Sequence, residues 1–361
     1  YNAGRFKMIL GAYYGWDSVT ANNTPDFFNF TSDVRAAVGL PASYFNPGGA
    51  FNGAGLSATS LPTGIRATQH FRQVRHSYAI YGEGVSQLLT STIGIPTSTR
   101  QTQGPAQNLV LLKAGQTNLA MVTTGPAYEA IAGTLELAPG DEYTDLRALF
   151  PMYPTPFQMI AIESSGIKSL EDLAGKRVGA GPRAGTGGAY WTRWMSDLGI
   201  DTNLQYGGIG DQGSQLADGR LDAVITAGGI PHPSLSELES TQSVTIFGMS
   251  DEVLARITAS NPYAVPFSIP EGTYRSPEGA LQTVAMWNFM AADASMPEEL
   301  AYNITKAVFD AHDQLVTSHA AAKDTLAENI IHNTFIPVHP GAARYYAEIG
   351  IELPDAIKPA N

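Results

Sequence analysis

The sequence predicts an α/β fold made of two lobes with a cleft between them. Three observations support this prediction. Short apolar strands alternate with helices through most of the chain, a helix–glycine–strand–glycine pattern occurs twice, and a glycine-rich turn joins a strand to a helix at 177–190. The length of 361 residues agrees with two units of ordinary size.

The N-terminal stretch differs from the remainder. Residues 1–62 are rich in Asn, Gly, Pro, Phe and Tyr and show no sustained strand or helix period. We therefore expect an irregular N-terminal extension over 1–62, of undefined role, that contributes little to a binding site. The first lobe is predicted to comprise 63–154 and 246–361, and the second lobe 155–245.

The first lobe is predicted to begin with a short strand at Ile65–Thr68 and a helix at Tyr78–Thr90. A strand at Ile95–Gln101 and a helix at Pro105–Ala114 follow, and proline suits the first turn of that helix. A buried strand at Leu119–Thr123 comes next. Such alternation of strands and helices indicates a parallel sheet.

A short internal repeat, called the internal echo below, supports two similar lobes. Gly115–Gly125 and Gly219–Gly229 each contain a glycine that ends a helix, a polar residue, an apolar strand and a second glycine. Two lobes built alike would place the two strand ends on opposite sides of a cleft. The alternative is that this order of elements is simply common in α/β proteins.

Leu146–Ile162 is predicted to cross between the lobes, because it is apolar and long enough to leave one sheet and enter another. Its prolines place a hinge near Tyr153–Gln158, and the chain is expected to return near Phe247. Leu281–Ala292 reads as a strand. Ser295 is expected to open a capping box for the helix that follows.

The central turn, Arg177–Tyr190, is predicted to run from a strand through glycines into a helix that begins near Thr186. Glycine permits close approach to a ligand. The helix start supplies free N–H groups and the positive end of the helix dipole, which favour an anion. Gly179, Gly181 and Gly185 miss the dinucleotide-binding spacing by one residue, and no Gly-Lys-Ser/Thr follows. A small organic acid therefore fits better than a nucleotide.

Composition excludes several classes of protein. Asp plus Glu number 33 against 21 Lys plus Arg, which gives a net charge of −12 without a basic cluster, so nucleic acid and anionic membrane are not expected partners. Cysteine is absent, which excludes disulfides, a thiolate nucleophile and cysteine-ligated zinc. No apolar run could span a membrane. Any export signal is expected to have been removed, or never to have existed.

Three segments in order resemble the TAXI class of solute-binding proteins, which serve TRAP transporters: Thr99–Ala130, Ala174–Gly188 and Gln215–Pro231. The C-terminal stretch from His332 is also similar, and the resemblance runs from about Tyr78 to the end. It implies a type II-like periplasmic-binding-protein fold that closes on a small organic acid. Glutamate or another amino acid, a dicarboxylate, an oxo acid and an aromatic acid all suit the motifs.

The resemblance further implies a periplasmic monomer, with its signal peptide removed, that delivers the ligand to the integral membrane subunits of a TRAP permease. It implies no enzymatic activity, no cofactor and no metal. One departure concerns the first lobe, where His70–His76 stands in place of the family's glycine-rich turn. Its Arg and His side chains could supply charge to the ligand, and the role of this stretch stays open.

The candidate ligand-binding residues are polar, aromatic or glycine residues near the predicted strand ends, helix starts and central turn. They are Tyr78, Tyr81, Gln103, Asn108, Thr123, Thr124, Arg183, Thr186, Gly187, Gly188, Gly228 and Gly229. Ligands of open α/β sheets bind at the carboxyl ends of strands, where Thr123 and Thr124 fall. Arg183 could pair with a carboxylate through two hydrogen bonds. Each residue also has a structural alternative, such as internal packing, helix capping or a solvated charge.

No catalytic constellation is present. The sequence contains no His-Glu-x-x-His and no Gly-x-Ser-x-Gly, and its seven histidines are scattered. Two alternatives to a transport role remain: an enzyme on the same two-lobed fold, and a sensor input domain that docks on a receptor.

Overall fold

The computed structural model describes residues 6–11, 77–102, 104–183, 185–276 and 279–359. The predicted strand at Ile65–Thr68, the His70–His76 stretch and Gln103 lie outside the described residues. No helix among the described residues is long and apolar enough to cross a membrane.

The described strands form one ten-stranded arrangement. They are β1 (Phe6–Gly11), β2 (Thr97–Thr102), β3 (Leu119–Thr123), β4 (Leu146–Ile162), β5 (Arg177–Gly179), β6 (Asn203–Gln205), β7 (Ala223–Ala227), β8 (Val244–Phe247), β9 (Val265–Ile269) and β10 (Leu281–Asp293).

Helices cover the strands. The α-helices are α1 (Ser77–Thr92), α2 (Pro105–Lys113), α3 (Thr124–Ile131), α4 (Thr186–Leu198), α5 (Ile209–Ala217), α6 (Pro233–Thr241), α7 (Asp251–Ser260), α8 (Glu298–Asp310), α9 (His312–Ser318) and α10 (Pro340–Glu348). Short 3-10 helices occur at Glu163–Ser165, Glu171–Leu173, Ala320–Asp324, Ala327–His332 and Asp355–Ile357.

The sheet of the first lobe has the order β2-β1-β3-β10-β4, with β9 paired to β10. β1 pairs in parallel with both β2 and β3, whereas β10 is antiparallel to β3 and to β4. This confirms the predicted parallel layer. Parallel strands need a crossover connection, which is usually a helix. Here α1 precedes β2 along the chain, and α2 connects β2 to β3.

The expectation of an irregular stretch over 1–62 is wrong for Phe6–Gly11. This segment forms β1, which pairs with Thr97–Thr102 on one side and with Leu119 and Ala120 on the other. The run Phe-Lys-Met-Ile-Leu-Gly is short and continuously apolar at its centre, as strands buried in parallel sheets are. The sequence that flanks β1 shows no alternation of strands and helices, so β1 could not be recognised from the pattern.

β4 confirms the predicted crossing. Its first part pairs with β10 as far as Pro156, and its last part pairs with β7 and β8 from Phe157 onward. The predicted hinge at Tyr153–Gln158 therefore coincides with the point at which β4 changes partners. β10 crosses as well, because Val284 and Met286 belong to the second core and Phe289 and Met290 to the first.

The sheet of the second lobe places β4 between β8 and β7, followed by β5 and β6. Alternation along β4 separates two apolar layers. Phe157 and Met159 face the core under α4 and α7, whereas Ile160 faces the core under α5 and α6. The second lobe is thus a sheet covered by helices on both faces, and the predicted two-lobed α/β fold is confirmed.

The internal echo corresponds to equivalent positions in the two lobes. β3 pairs antiparallel with β10 and parallel with β1, whereas β7 pairs antiparallel with β4 and parallel with β5. Each echoed strand therefore adjoins one of the two strands that connect the lobes.

Two details differ from expectation. α7 contributes Val253, Leu254 and Ile257 to the core of the second lobe, although the sequence places the return to the first lobe near Phe247. The predicted capping box of α8 is also wrong. The helix has Pro297 as its N-cap and no side-chain cap hydrogen bond, so Ser295 lies two residues before the cap position, where its hydroxyl donates to Asp293 at 2.5 Å.

Candidate functional site

A cavity of about 310 Å³ lies between the two lobes. Its first wall belongs to the first lobe and consists of the start of α2, part of α3 and the loop after α3: Gly104, Pro105, Ala106, Gln107, Pro126, Glu129, Leu135, Glu136 and Leu137. Its second wall belongs to the second lobe and consists of the glycine-rich turn and α4: Arg183, Gly185, Thr186, Gly188, Ala189, Tyr190, Thr192 and Arg193.

The second wall is the strand–turn–helix unit that the sequence predicts. β5 ends at Gly179 and α4 begins at Thr186. The turn folds back on the helix so closely that a Cβ added at Gly188 would lie 2.2 Å from the Pro182 carbonyl oxygen. A side chain cannot be accommodated at that distance, so glycine is required for the turn to keep this shape.

A helix start lies on each wall. α2 begins at Pro105 after Gly104, whose φ of 143° favours glycine, and α4 begins at Thr186 after Gly185. The first-turn N–H groups of a helix have no partner within that helix, and the helix dipole gives this end a partial positive charge. The cavity therefore has a positive helix end on both sides, which suits an anion.

Four charged side chains line the cavity: Glu129, Glu136, Arg183 and Arg193. Arg193 is paired with Glu129. Arg183 is exposed, and its guanidinium carbon lies 5.0 Å from the ring centroid of Tyr206. Since Arg193 is already compensated, Arg183 is the cation of the second wall that a ligand carboxylate can approach.

The Glu129 carboxylate also accepts a hydrogen bond from the Tyr190 hydroxyl at 2.8 Å. Burial, and then the negative charge of Glu129, raises the pKa of Tyr190 well above its usual value. The phenol therefore keeps its proton and remains a donor.

Of the predicted site residues, Arg183, Thr186 and Gly188 line the cavity. Gly187 packs against β7, because a Cβ at this position would lie 3.0 Å from the Ala227 nitrogen. Gly228 and Gly229 follow β7, where the Gly228 carbonyl accepts a hydrogen bond from Gln158 at 2.9 Å.

Tyr78 and Thr123 meet in a polar cluster at the carboxyl end of β3. Their hydroxyl oxygens lie 2.9 Å apart, and both contact the side-chain oxygen of Asn288. The Asn288 amide nitrogen donates to the Tyr153 carbonyl and the Thr155 hydroxyl, each at 2.7 Å. The structure thus brings two predicted residues together with β4 and β10, and neither of the two is among the residues that line the cavity.

The remaining three predicted residues form hydrogen bonds inside the protein. The Asn108 side chain accepts from Thr102 at 2.6 Å and donates to the Met121 carbonyl at 2.8 Å. Tyr81 is fully buried, with its hydroxyl 3.0 Å from the Thr325 hydroxyl. The Thr124 hydroxyl donates to the Tyr263 carbonyl at 2.9 Å. Contact between these residues and a ligand stays a prediction.

Three residues that carry polar contacts at the edge of the cavity were not predicted from the sequence: Glu129, Tyr190 and Arg193. A faint signal existed for two of them, because Tyr190 and Arg193 are three positions apart in a helix and so share a face. Nothing in the sequence connected that face to Glu129, 61 residues earlier.

The described residues contain no cluster of three or more His, Cys, Asp or Glu arranged to hold a metal ion. The polar side-chain groups of the cavity are carboxylates, guanidinium groups, hydroxyls, one carboxamide and one buried phenol, set among apolar residues. Such a lining can bind and orient a small polar molecule by hydrogen bonds and charge.

Several solved structures are similar to this chain. MatC from Rhodopseudomonas palustris, with bound malate, is 14% identical over 69% of this chain and 85% of that chain, with a TM-score of 0.44. A binding protein component of an ABC phosphonate transporter from Pseudomonas aeruginosa is 12% identical over 68% and 74%, with a TM-score of 0.42. The aliphatic sulphonate binding protein SsuA from Escherichia coli is 16% identical over 74% and 79%, with a TM-score of 0.40.

These identities and TM-scores are too low to transfer a ligand from those proteins. The NMT1-like family, in contrast, matches the sequence itself over residues 75–350, a range that includes both walls of the cavity. This chain therefore belongs to the NMT1-like family.

Proposed function

We propose that this protein is an extracytoplasmic solute-binding protein that captures a small organic acid between its lobes and delivers it to a TRAP-type secondary transporter. One observation carries the proposal: the cavity has a helix N-terminus on each wall and Arg183 beside one of them. Its volume of about 310 Å³ suits a small metabolite.

The preference for an acid follows from these groups. A negative charge at a helix start gains roughly 0.3–1 kcal/mol from the dipole. A charge-assisted hydrogen bond from Arg183 contributes about 1.5–3 kcal/mol in addition. Because Arg193 is held by Glu129, the carboxylate is expected at Gly185–Gly188, beside Arg183 and Thr186.

The transport role rests on the resemblance to TAXI proteins, and two of the three motifs that carry it contribute residues to the walls of the cavity. Thr99–Ala130 contains α2 and all of α3 except its last residue, and Ala174–Gly188 contains the turn before α4. A periplasmic location and a monomeric state belong to the same proposal. Amino acids such as glutamate, dicarboxylates, oxo acids and aromatic acids are the candidate ligands.

A thermal-shift screen tests the binding proposal. The protein is unfolded and refolded to remove carried-over ligand, and then mixed with organic acids and with the matched neutral amides. A ligand at 100 times its Kd stabilises the folded state by about 2.7 kcal/mol, so a binding acid raises the melting temperature by several degrees. Equal shifts with acids and amides, or no shift with any acid, would contradict the proposal.

Delivery is tested separately. Proteoliposomes that contain the candidate permease should take up the identified acid only when the binding protein is added. Turnover of the acid by the purified protein would instead indicate an enzyme. Uptake that is independent of the protein, together with binding to a receptor domain, would indicate a sensor input.

A further inference from the structure

A buried carboxylate connects the two lobes at the edge of the cavity. Glu129 lies on α3 in the first lobe, and its side chain is only 10% exposed. Its two partners, Tyr190 and Arg193, lie on α4 in the second lobe. The Tyr190 hydroxyl donates to the carboxylate at 2.8 Å, and the Arg193 guanidinium forms an ion pair with the same oxygen.

The backbone of α3 is shaped for this contact. A Cβ added at Gly125 would lie 2.5 Å from the Tyr190 hydroxyl oxygen, so the phenol reaches the helix only because residue 125 is glycine. At the adjacent position, Thr124 donates across the same boundary to the carbonyl of Tyr263, which belongs to the core of the second lobe. Two hydrogen bonds and one ion pair thus join α3 to the second lobe.

These contacts depend on the lobes being together. Glu129 takes both of its partners from the opposite lobe, so separation of α3 from α4 would exchange them for water. Arg193 retains 41% exposure, so solvent screens the pair in part, but the buried carboxylate also depends on the Tyr190 hydrogen bond. Charge-assisted hydrogen bonds of this kind are stronger than neutral ones.

We propose that Glu129, Tyr190 and Arg193 form an interlobe clasp that favours the closed cleft before any ligand binds. The Glu129 carboxylate already pairs with Arg193, so Arg183 is the guanidinium group that remains for the ligand. The clasp acts in the ligand-free protein and therefore goes beyond the proposed function. It also raises the apparent affinity for a ligand, since a larger fraction of the protein is already in the binding-competent state.

Pulsed electron–electron double resonance, which measures distances between two spin labels, tests the clasp on the ligand-free protein. The chain has no cysteine, so spin labels can be attached at Q116C in the first lobe and D201C in the second, both at exposed positions. The otherwise unchanged protein should show mainly the short, closed distance. Glu129→Gln, which keeps the shape but removes the charge, should raise the open-to-closed ratio about tenfold, or ~1.4 kcal/mol.

Two further variants separate the clasp from a general loss of structure. Tyr190→Phe removes one hydrogen bond and should raise the ratio less than Glu129→Gln. Arg193→Gln should have a large effect alone but little in the Glu129→Gln background, because the two changes remove one interaction. Glu299→Gln is the matched control, since its ion pair with Arg344 joins α8 and α10 within the first lobe and should leave the distances unchanged.

Unchanged distances in Glu129→Gln, with circular dichroism confirming the fold, would overturn the clasp. Independent effects of the Glu129 and Arg193 changes would overturn the pairing as its cause. Neither measurement contains a ligand. Failure of the clasp is therefore distinguishable from failure of organic-acid binding, which the thermal-shift screen reports.

Discussion

For single residues, we expect recognition of the proposed acid to depend on Arg183, the exposed cation of the second wall. We expect Arg183→Ala to weaken binding of an acid by one to two decades, because one charge-assisted interaction of about 1.5–3 kcal/mol is lost. Binding of the neutral amide should hardly change. Calorimetric titration of both ligands measures the difference.

Equal weakening of acid and amide would show that Arg183 acts through structure and not through charge. No weakening of either would assign the anion to the backbone turn, or to Arg72 and Arg75, which lie outside the described residues. Lys168→Ala is a suitable control, because this exposed lysine is not among the residues that line the cavity.

Residue roles were only partly predictable. Glycine spacing and the position of Arg183 identify the second wall, because those features act through the local backbone. The partners of Tyr78, Asn108 and Thr124 could not be predicted, since each hydrogen bond depends on how distant segments pack. Asn108 illustrates this point: its helix position suggests a ligand, whereas its amide joins α2 to the β2 and β3 strands.

At the scale of elements, the turn before α4 fixes the geometry of the second wall. Gly188→Ala places a methyl group 2.2 Å from the Pro182 carbonyl oxygen, so the turn must move away from the helix. We expect binding of the acid to weaken at least about tenfold, the equivalent of losing ~1.4 kcal/mol of interaction. Titration calorimetry measures this change.

Gly213→Ala is the matched control, because a Cβ there meets nothing within 4 Å and the residue lies inside helix α5. Alanine is the better helix former by about 1 kcal/mol, so this variant should be slightly more stable and should bind normally. Normal binding by Gly188→Ala would show that the turn does not hold the acid.

The first strand provides a second test at this scale. β1 lies between β2 and β3, so a chain without residues 1–11 leaves both neighbours with unpaired backbone groups. At roughly 0.5–1.5 kcal/mol for each hydrogen bond, we expect several kcal/mol of lost stability. Urea unfolding measures it. A chain without residues 1–5 is the control, and equal stability of the two shortened chains would contradict a structural role for β1.

Elements with a local signature were predictable, and those defined by pairing were not. Strand–turn–helix at 177–198 follows from glycine spacing and helix periodicity. The residues on either side of β1 show no helix or strand periodicity, and β1 pairs with a strand some 90 residues away. β4 contains three prolines that suggest interruption, yet it stays continuous. Register shifts opposite it in β10, between Trp287 and Phe289 and between Met290 and Ala291, are the kind of irregularity at which proline is tolerated.

At the scale of the whole molecule, three buried or half-buried histidines link stability to pH. Burial is the first cause that lowers the pKa of His319, His332 and His339 below the usual 6.5. His319 and His339 also accept backbone hydrogen bonds through Nδ1, which requires an unprotonated nitrogen. The folded state therefore favours the neutral rings.

Because the folded state favours the neutral rings, its stability should decrease as the pH falls. With folded-state pKa values below the unfolded value, the stabilisation is complete above pH 6.5 and is lost as the pH falls through the folded-state pKa values. We expect the free energy of unfolding, measured in urea, to decrease between about pH 7 and pH 5. His339→Gln should reduce that decrease, and an unchanged slope would contradict the assignment to His339.

The two-lobed plan was predictable because the chain repeats one unit and first crosses between the lobes through a long apolar segment. Which lobe a helix joins was not, since α7 carries the same kind of apolar face as a helix of the first lobe. The numbered lobe boundaries, and hinge motion about Tyr153–Gln158, stay predictions. The spin-label distances described above report on that motion.

Hydrogen exchange of backbone amides, with and without the identified acid, shows whether one acid binds between two helix starts on opposite lobes. We predict slower exchange on binding at Ala106 and Gln107 in α2 and, together with them, at Thr186–Ala189 in α4, while amides of α8 and α10 remain unchanged. Protection on only one wall, or protection confined to other segments, would contradict the account.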